Sequence, residues 1–148
     1  GFIIKMFPHA KIIHTIRNPI AVYYSLYRTF MAEGVLEFSY DQDDIIKYYK
    51  LYEDMMHYWK GLYQKEIFEL DYELLINNPK QEVKKIFNYL GLKFDNSYLD
   101  ISNNKRSVTT ASDIQIRNKI NSKGVNSWIK YPKLTEKFSS EFNSIAQR

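Results

Sequence analysis

A chain of 148 residues, 45% hydrophobic and 26% charged, has the length and composition of one globular domain with a real core. It holds no cysteine, which excludes disulfides, thiolate metal sites and a cysteine nucleophile. Its net charge of +4 favours anionic ligands such as nucleotides, but is too small and too evenly spread to argue for DNA or RNA binding.

No run approaches the roughly 18 apolar residues of a membrane-spanning helix. Gly1–Lys5 is too short and wrongly flanked for a signal peptide. Without cysteines or a targeting signal, the expected location is cytoplasmic. The chain starts with Gly in a lead-in that Pro8 closes, so it reads as a piece of a longer protein.

Residues 11–17 predict a short strand, rich in the β-branched residues Ile12, Ile13 and Ile16. Residues 19–31 predict a helix, with Asn18 as N-cap, Pro19 at its first position and Gly34 available as a C-terminal cap. A longer helix over 42–64 follows. Asp41 is its expected cap, and Asp43 and Asp44 favour its first turn. Ile45, Tyr49, Tyr52, Met56, Trp59 and Tyr63 recur at helical spacing and form one stripe, expected to pack against a sheet as core. Residues 67–72 predict a second strand ending at Tyr72. Asn78 to Gln81 reads as a capping box opening a helix whose inner face is Val83, Ile86, Phe87 and Leu90, with Gly91 ending it.

Residues 95–127 are polar and aperiodic, the mark of a functional loop or of disorder. Trp128 and Ile129 re-anchor the chain. Pro132 starts a last helix with Leu134, Phe138 and Phe142 on one face. This order points to α/β architecture with a parallel sheet. Two strands are few for a sheet, which again suggests that the N-terminal part of the fold is missing.

Arg17 ends the first strand beside a helix N-terminus, the edge at which open α/β sheets bind ligands. Ser25 lies six positions beyond Pro19, roughly 9 Å along the helix. The pair can close on one phosphate. Equally, Arg17 can pair with an acid and Ser25 can bond back to its own helix. Tyr72, at the end of a parallel strand, belongs on the same edge as Arg17 and can stack on a base or donate to a phosphate. His9, His14 and His57 read as turn, strand and helix-surface residues. No Asp, Glu and His spacing suggests a metal site, and there is no Gly-x-x-x-x-Gly-Lys-Ser/Thr loop.

The segment from Phe7 to Pro19 followed by Ser25 resembles the 3′-phosphate-binding element of sulfotransferases that use 3′-phosphoadenylyl sulfate (PAPS): an apolar strand, an Arg, a Pro two residues on and a Ser eight after the Arg. Asp71-Tyr72-Glu73-Leu74-Leu75, then Asn78-Pro79 and the helix to Gly91-Leu92, is similar to a second segment of that family. Val108–Ser112, Gln115–Arg117 and Val125–Trp128 resemble the closing segment of bacterial sulfotransferases with tetratricopeptide repeats and of tyrosylprotein sulfotransferases. Two positions depart from the pattern. Ser127 stands where relatives often carry a basic residue, and Lys119 where they often carry Pro.

The resemblance implies a partial P-loop-NTPase-like, three-layer fold of parallel strands flanked by helices. All 148 residues would form the C-terminal part of one sulfotransferase domain, with 11–31 as its 3′-phosphate strand–helix and 102–128 as a cofactor-covering loop. It further implies that Arg17 and Ser25 hold the 3′-phosphate of PAPS, that Tyr72 meets the adenosine part, that Ser112 lies near the 5′ side, and that Lys123 and Gly124 add charge and backbone groups. A sulfuryl group would pass from PAPS to an acceptor hydroxyl or amine on a protein tyrosine, carbohydrate, lipid or small molecule. No metal and no nucleic acid would take part. The family's 5′-phosphosulfate loop and general base would lie upstream, leaving this piece inactive alone. Two other functions fit the residues: a piece of a P-loop nucleotide kinase, and a non-catalytic module binding phosphate or nucleic acid.

Overall fold

The fold, taken from a computed structural model, is described here for residues 1–29, 34, 36–100 and 124–145. A short helix α1 (Phe2–Met6) leads into β1 (Ile12–Ile16), then α2 (Pro19–Arg28), a 3-10 turn at Glu37–Tyr40, and α3 (Gln42–Leu62). After β2 (Ile67–Asp71) come α4 (Tyr72–Asn77), α5 (Pro79–Leu90), 3-10 turns at Asn96–Leu99 and Ser127–Lys130, and α6 (Pro132–Ile145).

β1 and β2 pair in parallel, with Ile12 opposite Ile67, His14 opposite Glu69 and Ile16 opposite Asp71. A parallel pair needs a long crossover, and α2 and α3 supply it. Side chains alternate across a strand, so Phe68 and Glu69 face opposite sides. On one side α5 lays Tyr89 against Phe68, ring centroids 5.1 Å apart. The Tyr89 hydroxyl donates to the Glu66 carbonyl, lies 3.3 Å from that of Ile12 and accepts from the Ile12 N–H at 3.2 Å, tying together the starts of both strands. On the other side α3 reaches the sheet through Tyr52 and Lys60, which bond to His14 and Glu69.

Side-chain caps explain the starts of α2 and α3. Asn18 Oδ1 accepts from the N–H groups of Ile20 and Ala21, with Pro19 next in line, and Asp41 Oδ1 accepts from those of Asp43 and Asp44. Gly91 ends α5 in the left-handed region, φ 70°, where a side chain would be strained.

The structure corrects several expected details. The helix predicted over 19–31 stops at Arg28, because Thr29 turns extended; Gly34 is not its cap. Strand β2 stops at Asp71, whose carboxylate caps Leu74 and starts the unforeseen α4 at Tyr72. The capping box does not form: Asn78 makes no side-chain cap bond. On α5 the expected inner residues are only half-buried, while Glu82 is the buried one, paired with Lys85 at 2.6 Å.

The α3 stripe also packs differently from expectation. Tyr23, Ile45, Ile46 and Phe138 form a core between α2, α3 and α6, with Ile20, Leu26, Phe38, Tyr49 and Phe142 around it. Phe138 packs on Tyr23 at 4.6 Å and on Tyr49 at 5.5 Å between centroids. Helices rather than the sheet bury the N-terminal half of the stripe, because α6 returns across α2 and α3 and offers them its aromatic face. Among the described residues no helix is long and apolar enough to cross a membrane.

Candidate functional site

The register of the sheet builds the site. Arg17 and Tyr72 each stand one position beyond the last paired residues, Ile16 and Asp71, at the carboxyl ends of two parallel strands. Both strands turn directly into helices, α2 capped by Asn18 and α4 capped by Asp71. Two strand–helix elbows therefore lie side by side.

Arg17 is held on three sides. Its guanidinium carbon lies 4.9 Å from the Tyr72 ring centroid. One terminal nitrogen donates to the Gly124 carbonyl at 2.9 Å, across 107 positions of chain. Its Nε lies 3.9 Å from Glu73 Oε1, beyond hydrogen-bond length. The Glu73 carboxylate in turn accepts from the Asn18 N–H, its two oxygens at 3.3 and 3.2 Å. Arg17, Tyr72 and Gly124 are thus brought together, and the option that Arg17 meets an acid is realised as well. The first N–H groups of α2 are already used, by Asn18 Oδ1 and by the helix ladder at Val22. The elbow therefore offers an anion the Arg17 guanidinium rather than free N–H groups of the helix terminus.

Ser25 lies half-buried on α2 two turns further on. Its carbonyl accepts from the Thr29 hydroxyl at 2.6 Å, and among the described residues no contact joins it to Arg17. Ser112 and Lys123 lie outside the described residues, as does most of the expected covering loop. Of that loop, Ser127 donates to the Gly124 carbonyl at 3.3 Å, so the same oxygen receives Arg17 and Ser127.

Arg17 also lines a cavity of about 710 Å³, together with His14, Tyr52, Glu53, Lys60 and Glu69 among others. His14 Nε2 lies 2.6 Å from the Tyr52 hydroxyl. His14 Nδ1 is 3.4 Å from Glu69 Oε1, within ion-pair range when the ring is protonated but not aligned as a hydrogen bond. Lys60 donates to Glu69 at 2.9 Å. That bond, followed by the charge of Lys60 and the nearness of His14, holds the Glu69 carboxyl below its ordinary range. Burial, reinforced by Asp54, pushes Glu53 the other way, and burial also raises the Tyr52 phenol. No cluster of metal-ligating residues occurs among the described residues.

The family model described as "Sulfotransferase family" matches residues 1–96, a span that includes Arg17, Ser25, Tyr72 and Glu73. The chain belongs to the sulfotransferase family. An uncharacterized protein of Aquifex aeolicus is 33% identical over 135 residues, 90% of this chain and 18% of that one. The omega-hydroxy-beta-dihydromenaquinone-9 sulfotransferase Stf3 of Mycobacterium tuberculosis is 29% identical over 104 residues, 66% of this chain and 27% of its own. A Caenorhabditis briggsae relative, which bears a protein-tyrosine sulfotransferase name, is 24% identical over 132 residues, 84% of this chain and 46% of its own. This sulfotransferase chain therefore spans less than half the length of each of these relatives.

Sequence reasoning alone missed Glu73 and the grouping of His14, Tyr52, Glu69 and Lys60. Glu73 is adjacent to Tyr72 in the very segment that carries the family resemblance, so its position was a usable signal. His14 and Glu69 become neighbours only once the strand register is known.

Proposed function

We propose that this chain carries the nucleotide-binding part of a PAPS-dependent sulfotransferase, which transfers a sulfuryl group to an acceptor hydroxyl or amine. The observation that supports this most is the meeting of Arg17, Tyr72 and Gly124 at the carboxyl edge of the parallel strands. In this reading Arg17 and Ser25 hold the 3′-phosphate, Tyr72 packs on the adenosine part, and Ser112, Lys123 and Gly124 close over the nucleotide. The whole domain has the P-loop-NTPase-like, three-layer arrangement, of which β1 and β2 are two strands.

Bound PAPS supplies the activated sulfuryl group and an adenosine bisphosphate leaving group. The residues of this chain bind and orient that leaving group, and such positioning contributes to in-line transfer. Proton removal from the acceptor and the grip on the 5′-phosphosulfate fall to segments outside these 148 residues, so the chain by itself binds nucleotide without turning it over. The greater length of the relatives is consistent with this division.

The test is titration calorimetry of the full-length protein with adenosine 3′,5′-bisphosphate and with ATP. The bisphosphate is expected to bind more tightly, and Arg17→Ala to weaken it by about 1.5–3 kcal/mol, the worth of a charged hydrogen-bond partner. Equal binding of both nucleotides together with a silent Arg17→Ala would refute the reading.

A further inference from the structure

We infer that Glu73 is a positioning residue for the 3′-phosphate anchor, an inference that rests on the nucleotide-binding role proposed for Arg17. Three observations carry it. Asp71 caps α4, so Glu73 stands at the second helical position with its backbone fixed. Its carboxylate takes the Asn18 N–H on both oxygens, at 3.3 and 3.2 Å, and so binds the β1–α2 elbow to the β2–α4 elbow. The same carboxylate lies 3.9 Å from Arg17 Nε, a buried donor with no hydrogen bond among the described residues.

Arg17 has a long, rotamer-rich side chain, and ordering it on binding would cost affinity. Glu73 holds the Nε side while Tyr72 covers the face and Gly124 takes one terminal nitrogen, so the guanidinium is ordered before a phosphate arrives. Both Glu73 and Arg17 side chains are only 26% exposed, which limits solvent screening between them. A carboxylate beside an anion site also repels the anion. The geometry decides between the two effects. The Glu73 carboxylate is fixed on the Asn18 N–H, which its two oxygens share, and lies on the Nε side of Arg17, so it acts as a brace and not as an occupant of the phosphate position.

The experiment compares Glu73→Gln and Glu73→Ala in the full-length protein, titrated with adenosine 3′,5′-bisphosphate and with adenosine 5′-monophosphate. The 5′-monophosphate lacks the group that Arg17 holds. Glu73→Gln is expected to weaken the bisphosphate about fivefold and Glu73→Ala about twentyfold, each with less than a twofold change for the monophosphate. In turnover assays both variants raise KM for PAPS and leave kcat within twofold. Bisphosphate binding that is unchanged or tighter in either variant overturns the inference, since Glu73 would then be inert or a competitor. Equal loss of both nucleotides overturns it too, since the role would be merely structural. If the native protein fails to prefer the bisphosphate, or Arg17→Ala is silent, the underlying reading fails and this inference falls with it. If those two controls behave as expected and the Glu73 variants are silent, only the role of Glu73 is rejected.

Discussion

The guanidinium of Arg17 lies 4.9 Å over the ring of Tyr72, each residue one step past the last rung of a two-stranded parallel ladder. An arginine on an aromatic face contributes about 0.5–2 kcal/mol, more as water is removed. The same ring that orients Arg17 is the one expected to meet the adenosine part of the nucleotide. Tyr72→Phe, which keeps the face and loses the hydroxyl, is predicted to hold adenosine 3′,5′-bisphosphate within about threefold of the native protein. Tyr72→Ala is predicted to weaken it roughly tenfold, on the order of the cation–π energy. Calorimetric titration of both variants measures this.

The contacts between α3 and the sheet predict a pH-dependent stability. Because Lys60 holds Glu69 below its ordinary value, the charged carboxylate favours the folded state. That contribution is complete above the ordinary value of 4.5 and is lost as pH falls through the lowered folded-state value. Glu53 has the opposite sign. Burial raises it, so the folded state gains stability as pH falls through its raised value, a gain complete below 4.5. Glu69→Gln should therefore be less stable than the native protein near neutrality, with the gap closing in acid. Glu53→Gln should be slightly more stable near neutrality, again converging in acid. Urea midpoints measured from about pH 7 to about pH 3 test both signs.

Phe138 is 2% exposed and packs against Tyr23, Tyr49 and Phe142. Removing such a ring typically costs about 3–5 kcal/mol, against a total stability of about 5–15 kcal/mol for a domain. Phe138→Ala is expected to lower the urea midpoint strongly, while Phe138→Leu retains about half of the loss or more. Because α2 carries Ser25 and sits on this core, nucleotide affinity in Phe138→Ala should fall in parallel with the folded fraction.

Much of what could be read in the amino-acid order depends on near neighbours, although the Asn78 capping box did not form and the cap of Asp71 on α4 was missed. Asn18-Pro19 and Asp41 started their helices as expected, because a cap and the N–H groups it serves lie within three residues. The run Leu134, Phe138 and Phe142 fell on one helix face because the period of a helix is local. The segment of Arg17 and Ser25 and the segment of Tyr72 were each legible for the same reason, and their order along the chain pointed to the family. The tertiary structure alone decided which of these met. Gly124 reaches Arg17 from 107 positions away, and the strand register puts His14 beside Glu69. That Tyr72 shares an edge with Arg17 already followed from the expected parallel strands, and the structure adds the 4.9 Å approach of the guanidinium to the ring. It also put Ile45 and Tyr49 of the α3 stripe against α2 and α6 while Tyr52 kept to the sheet, and it showed that Glu73 occupies the Asn18 N–H. Such pairings depend on how distant segments dock, and no local spacing encodes a docking register.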